Sequence, residues 1–499
     1  MKRGLLLGLM RRFMGVVVLC VALAVPVYIF VHAHAPHAPG RLDPPAVTLG
    51  AIPSVRPYRD SVPVLTYHDV SGGAGRYTVS PVSFAKQMAA LHAAGFHTIS
   101  MAQLLAFLRG RGQLPERPLV ITFDDGLGSA WRVADPILAK YGFRAVAFVI
   151  TGQIGRHGYY YLRPDELRAM VRSGRWDIEA HTHLAHLYIK CDRAGHLGPA
   201  LTNREWLDRK GRLETEAEFR SRVSHDLDVN IAELREYTSS QLVFAYPFSA
   251  ASSQTNDPRV IGMLTQIVAQ RFSLSFVDNE GQRFLNRYDG AAPQQLPRIE
   301  VYHLTTARSL LARLRGLVPV APSLEGFPDD QQWISERGSR IPGRVLIRRR
   351  VLTLRPRPAQ WLAAYWAPTR TELWRSYRLS VSLEGLGGQA SGASETVILG
   401  SKRSDSYAVS LSTWRLTVAV IRLRGSRRLL TQATVRSASQ HRLDVSLARG
   451  RLTVSVDGRA MASLPIDDAT HGGIGFGTWR THATSPVPSF SNLSVQPLR

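Results

Sequence analysis

The chain has 499 residues and only two cysteines. Cys20 lies in an apolar segment and Cys191 far downstream, so no disulfide between them is expected. The folded parts must then be held by apolar cores or by a metal. Acidic residues are also scarce: 38 Asp and Glu stand against 62 Lys and Arg, a formal charge of +24. Such a balance suits contact with something acidic. No nucleic-acid motif accompanies it, and the basic residues are spread rather than clustered, so nucleic acid is not an expected partner. A basic envelope protein with a solvated surface is the plainer reading. No repeat of fixed period is present. Long apolar runs without charge are missing as well, except for "MGVVVLCVALAVPVYIFV" at 14–31. That run is about the minimum length for a membrane span. Arg11 and Arg12 precede it, which favours a cytoplasmic N-terminus with the rest outside. An uncleaved anchor over 1–32 is therefore expected. A cleaved signal is the rival, but its cut after "AHA" would leave Pro36 first.

Residues 33–60 are rich in Pro, Ala and His and read as a tether. From about 61 to 316, strand-like and helix-like segments alternate, which predicts a parallel α/β barrel or an open α/β sheet. "VPVLTYHDV" (62–70) reads as a strand, and Ser80-Pro81 as the start of a helix that Gly95 stops. Residues 187–241 interrupt the rhythm as a long insertion. Its second half is helical, with Phe219, Val223, Leu227, Ile231 and Leu234 on one stripe. Residues 317–342 read as a second linker. From 343 to 499 the periodicity is two, which predicts an all-β sandwich or jelly roll, with turns after "HRLDVSL" and at Asp457-Gly458.

In parallel α/β folds, functional side chains sit at the carboxyl ends of strands. "VITFDDGLGS" (120–129) ends an apolar run on Asp124 and Asp125. Two adjacent acids in a desolvated cleft repel, so a positive partner is required. Asp-Asp-Gly is also an ordinary turn. A second strand end, "EAHTHLAHL" (179–187), carries His181, His183 and His186. Imidazoles with a carboxylate suit zinc, with related divalent metals such as nickel, cobalt or iron as alternatives. The chemistry alone does not choose the pair of histidines. His181 and His183 share a face if the strand continues; His181 and His186 converge only if the chain bends.

"TFDDG" followed by this histidine motif resembles the NodB-homology polysaccharide deacetylases. The resemblance covers roughly 60–315 and implies a distorted (β/α) barrel. Most members space the two histidines four apart, and Ala185 breaks that spacing here. The five-residue spacing resembles the branch that N-deacetylates poly-β-1,6-N-acetylglucosamine. Carried over, the resemblance implies Asp125, His181 and His186 as metal ligands and Asp124 as general base. It implies a backbone donor to the oxyanion near Tyr246 to Phe248, in "AYPF", with both aromatics against substrate. Many relatives carry an Arg before this Pro-aromatic pair that tunes the base; Ala245 stands there, so the tuning of Asp124 is open. The usual acid is a His in a late strand, for which His303 is the nearest candidate. His183 is a candidate substrate contact, and Asp69 a turn residue near the cleft.

The segment "RLTVSVDGRAMASLPID", with "GGIGFGTW" and "FSNLSVQP", is similar to concanavalin-like lectin and glucanase jelly rolls. Trp414 and Trp479 are candidates for glycan contact, although a sandwich tryptophan is more often core. The expected activity is metal-dependent removal of N-acetyl groups from an extracellular or periplasmic polysaccharide, with exopolysaccharide synthesis or export proteins as possible partners. Peptidoglycan, chitin-like oligomers or O-acetyl esters are alternative substrates. An inactive glycan-binding protein is the rival from another class, and the Asp-Asp and His set argues against it.

Overall fold

The computed structural model describes residues 40–498 except 239–241, 279–282, 287–293, 329–332, 336–343, 358–359, 368–369, 372–373, 387–393, 401–404, 423–425, 467–471 and 481–486. The apolar run at 14–31 lies outside the described residues. Among those described, no helix is long and apolar enough to cross a membrane. The chain divides into two compact units at Arg315/Gly316.

In the first unit, strands and helices alternate: β1 (Val64–Tyr67), α1 (Pro81–Ala93), α2 (Met101–Leu108), β2 (Pro118–Phe123), α3 (Asp135–Lys140), β3 (Ala145–Val149), α4 (Pro164–Arg172) and β4 (Trp176–Ala180). Then come α5 (Glu216–Leu234), β5 (Phe244–Ala245), α6 (Arg259–Arg271) and β6 (Ser275–Val277). Local signals set these boundaries. Ser80 Oγ accepts from Ser83 N–H and Pro81 opens α1, while Thr215 and Glu218 form a reciprocal cap on α5.

The last strand, β7, has two halves, Leu296–Pro297 and Ile299–Glu300. The first half pairs in parallel with β6, the second with β1. The sheet β7–β6–β5–β4–β3–β2–β1–β7 is therefore a barrel closed by one strand that changes partners at Arg298. Inside, Val64, Val120, Phe148, Phe276 and Leu296 form one core cluster with Met101, Leu104 and Phe107 of α2. Parallel strands direct all their carboxyl ends to one face, which is where the site residues collect.

Three expectations need correction. The tether at 33–60 is not free over its described part: Val55 and Tyr58 are buried, and Arg117 donates to the Val55 carbonyl. The buried stripe of α5 holds Asn230 rather than Ile231, for a reason that emerges at the site. The segment 317–342, read as a linker, contributes strands to the second unit, β8 (Leu324–Glu325) and β9 (Trp333–Ser335), because Trp333 has a core to enter.

That unit continues with β10 (Val345–Arg348), β11 (Val351–Leu354), β12 (Gln360–Trp366), β13 (Tyr377–Glu384), β14 (Ser394–Leu399), β15 (Ser406–Ser412), β16 (Arg415–Ile421) and β17 (Arg427–Thr434). It ends with β18 (Gln440–Ala448), β19 (Arg451–Val456), β20 (Arg459–Pro465), β21 (Ile474–Arg480) and β22 (Ser489–Pro497). One antiparallel sheet runs β10–β11–β22–β13–β18–β19–β20, with β8 on β22; the other runs β9–β12–β21–β14–β15–β16–β17. Leu379 and Val381 of the first meet Val397, Val409 and Phe476 of the second in one core, so the sheets form a sandwich. Two-residue turns at Arg449-Gly450 and Asp457-Gly458 have positive φ throughout, as tight hairpins require.

Candidate functional site

Asp124 follows β2 directly, and its N–H is tied to the Tyr67 carbonyl of β1. The chain then turns sharply, with Asp125 at φ 70° and Gly126 at φ 69°. A Cβ on Gly126 would also press on Val149, so the turn needs glycine for both reasons. His181 follows β4. Thr182 sits at φ 73°, and the loop bends enough to bring His186 back beside His181, with ring centroids 5.0 Å apart.

Asp125, His181 and His186 offer ligand atoms all within 4.8 Å of one another. His181 Nε2 and His186 Nε2 lie 3.5 and 3.2 Å from Asp125 Oδ1. Ligands about 2.0–2.2 Å from a tetrahedral cation stand roughly 3.3 Å apart, so the spacing fits. Asp125 Oδ1 is buried without a hydrogen-bond donor. His181 Nδ1 lies 2.7 Å from the Ala245 carbonyl, which can only accept, so Nδ1 carries the proton and Nε2 keeps its lone pair for a cation. The donor set therefore fits a divalent metal. Burial alone would raise the Asp125 carboxyl; the two imidazoles outweigh it and hold it well below the usual range.

The histidine loop is held by the insertion. Asp226 of α5 accepts from the N–H groups of His183, Leu184 and Ala185, at 3.0, 2.7 and 2.9 Å. Asn230, one turn on, donates to the Thr182 carbonyl at 2.7 Å. That bond explains why a polar residue occupies the buried stripe of α5. Such outer contacts fix ligand geometry.

Arg298 reaches Asp124 from the point where β7 changes partners. Its Nη1 and Nη2 donate to the two Asp124 oxygens at 2.8 and 2.7 Å, and Nη2 also reaches Asp278 at 3.0 Å. The guanidinium is fully buried and lies near the faces of Phe148 and Phe276. Burial, the largest single influence, would push Asp124 up; the Arg298 charge and hydrogen bonds, with help from His181, together outweigh it, and the carboxyl stays below its ordinary value. Arg298 thus occupies the electrostatic role left open by Ala245. Its place inside the apolar strand "LPRIEV" is unusual for an arginine but does not point to Asp124.

Asp124, Asp125, His181, His186, Tyr246 and Phe248 line one cavity of about 510 Å³. His68, at the end of β1, lines it too, and its charge lowers the pKa of both aspartates. Tyr77, Tyr188 and Phe248 bring exposed aromatic faces to the rim, with Tyr188 and Phe248 at 4.7 Å. Two assignments are corrected. His183 turns away, its Nδ1 2.8 Å from Glu233 and 3.1 Å from Thr151, so it braces α5 instead of touching substrate. His303 is exposed, is bound to the Arg76 carbonyl and does not itself line the cavity, so the acid role does not fall to it. Asp69 accepts from Ser71 in its own turn and from Ser129, which follows the Asp124-Asp125 turn.

A profile of the family "Polysaccharide deacetylase" matches residues 111–260. The chain contains a polysaccharide deacetylase domain. Over 209 residues the chain is 27% identical to the poly-beta-1,6-N-acetyl-D-glucosamine N-deacetylase of Escherichia coli K12, covering 38% of this chain and 30% of that protein. Over 121 residues it is 33% identical to the enzyme of the same name from Staphylococcus aureus MSSA476, covering 24% and 41%. The chain thus spans well under half the length of these relatives. Among solved structures, IcaB from Ammonifex degensii is similar at 25% identity with a TM-score of 0.40, over 51% of this chain and 97% of that one. The de-N-acetylase from Aggregatibacter actinomycetemcomitans is similar at 20% and 0.44, over 51% and 100%. The profile match within the deacetylase domain spans Asp124, Asp125, His181, His186 and the 246–248 turn.

Two outcomes follow for this domain. If these residues hold a divalent metal, alanine at Asp125, His181 or His186 should abolish metal retained after dialysis, measured by elemental analysis, whereas His183→Ala should keep it. Asp226→Ala removes three bonds from the histidine loop and should weaken affinity for a divalent metal roughly 10- to 100-fold in a chelator competition, with the fold intact by circular dichroism.

Proposed function

We propose that this protein is a zinc-dependent hydrolase that removes N-acetyl groups from a glucosamine polysaccharide, poly-β-1,6-N-acetylglucosamine before others. The observation that carries the reading is the pairing of two adjacent carboxylates with different partners. Asp124 is gripped by Arg298, and Asp125 faces His181 and His186. A glycan-binding module has no use for a buried, ionised Asp124, whose desolvation is costly. The names of the matching relatives support the choice of polymer.

A divalent cation on Asp125, His181 and His186 would polarise the acetamido carbonyl and acidify water. The chain's own groups do the rest. Asp124 takes a proton from the attacking water as the new C–O bond forms. Arg298 keeps Asp124 ionised and fixes both of its oxygens. In the 246–249 turn, Tyr246 N–H is bonded to Phe276 O and Ser249 N–H to Tyr246 O, and Pro247 has no N–H. The Phe248 N–H remains as donor to the developing oxyanion. His68 supplies the proton to the amine as the C–N bond breaks and acetate departs. Tyr77, Tyr188 and Phe248 hold sugar rings by their apolar faces.

The run at 14–31 and its flanking arginines support an inner-membrane anchor with the deacetylase domain outside the cytoplasm. Acetate release from acetylated β-1,6-linked glucosamine oligomers tests the activity. Asp124→Asn should lower the rate about 100-fold or more while zinc stays bound, because the amide cannot accept the proton. Full activity of that variant would reject the role, and acetate release only from β-1,4-linked or peptidoglycan substrates would reject the polymer.

A further inference from the structure

The second unit carries a recess of its own, of about 560 Å³, on the outer face of the sheet that contains β12, β21, β14, β15 and β16. The solvent face of a sandwich sheet usually carries long charged side chains. Here one row across four strands reads Gly477, Thr396, Ser410 and Thr417, in direct register. Small side chains give the recess its floor. On one side stand Trp361 and Trp479, cross-strand neighbours on β12 and β21. A Cβ on Gly477 would overlap the Trp361 ring, so glycine lets that indole lie down on the sheet. Trp479 is over a third exposed. On the other side stand Arg415 and Arg427, both exposed, with Arg427 Nη2 3.3 Å from Ser410 Oγ. Among the described residues, no carboxylate lines the recess.

The geometry points to a glycan-binding cleft whose occupant is the acetylated, uncharged amino-sugar polymer. This rests on the proposed deacetylation and adds a substrate-holding site to it. Indoles take the apolar face of a pyranose. Hydroxyls and guanidinium N–H groups suit sugar hydroxyls and the acetamido oxygen. Each deacetylation turns an amide into an ammonium, and two guanidiniums with no compensating acid repel it. The cleft therefore holds substrate and lets product go. Tethering polymer to the chain that modifies it also raises its effective concentration at the deacetylase domain.

The test is co-sedimentation of the full chain, carrying Asp124→Asn to prevent turnover, with acetylated β-1,6-linked glucosamine polymer and with the same polymer chemically deacetylated. The expected result is retention on the acetylated form, lost roughly tenfold in Trp479→Ala and recovered in Trp479→Tyr. Arg427→Glu, at an exposed edge where folding is not at stake, should shift the preference toward the deacetylated form. Equal retention of Trp479→Ala and its parent, or no change in preference with Arg427→Glu, would overturn the proposal. Acetate release by the wild-type chain is read separately. If the polymer is held through Trp479 but never deacetylated, the catalytic reading falls and the cleft stands.

Discussion

The grip of Arg298 on Asp124 is the contact on which the site depends. A carboxylate buried this deeply would take up a proton unless a charge stood beside it. Arg298 supplies that charge and a matching fork of two N–H donors, and Asp278 and Thr122 hold the fork from behind. Its position is a consequence of closure. One strand must pair with both β6 and β1, and the residue at its change of partner points into the space between the carboxyl ends. The barrel and the pairing of Asp124 are thus one construction: a barrel left open at β7 would leave Asp124 buried and unpaired.

The acid pair and the histidines were legible because each motif is contiguous and ends an apolar strand. The choice of His186 over His183 required the resemblance, and in the folded chain it has a physical basis: Asp226 and Asn230 bend the loop and turn His183 outward. Arg298 was not legible. It lies 174 residues from Asp124 in sequence, and nothing local marks an arginine in an apolar strand as a partner for that acid. His303 was chosen because the resemblance placed the acid late in the chain. Closure sets β1 beside β7, with Leu65 opposite Ile299, and His68, just after the first strand, lines the cavity where His303 does not.

The insertion and the second unit show the same division. The helical stripe of α5 was readable, but its polar member was not, since Asn230 is buried for a backbone carbonyl that only the folded loop presents. In the sandwich, alternation gave the strands and the turns. It did not say that Trp333, Trp366 and Trp374 would fill the core while Trp414 and Trp479 remained exposed, because both kinds of position share the same period.

The central claim is that a bidentate arginine, and not merely a positive charge, fits Asp124 for its proposed role beside the cluster of Asp125, His181 and His186. The most direct measurement is acetate release by Arg298→Lys together with its zinc content. Lysine keeps the charge but loses the planar fork. The expected result is a rate at least about tenfold lower with the metal content unchanged from the parent chain. A wild-type rate would contradict the account, and so would a loss of rate that only follows loss of zinc.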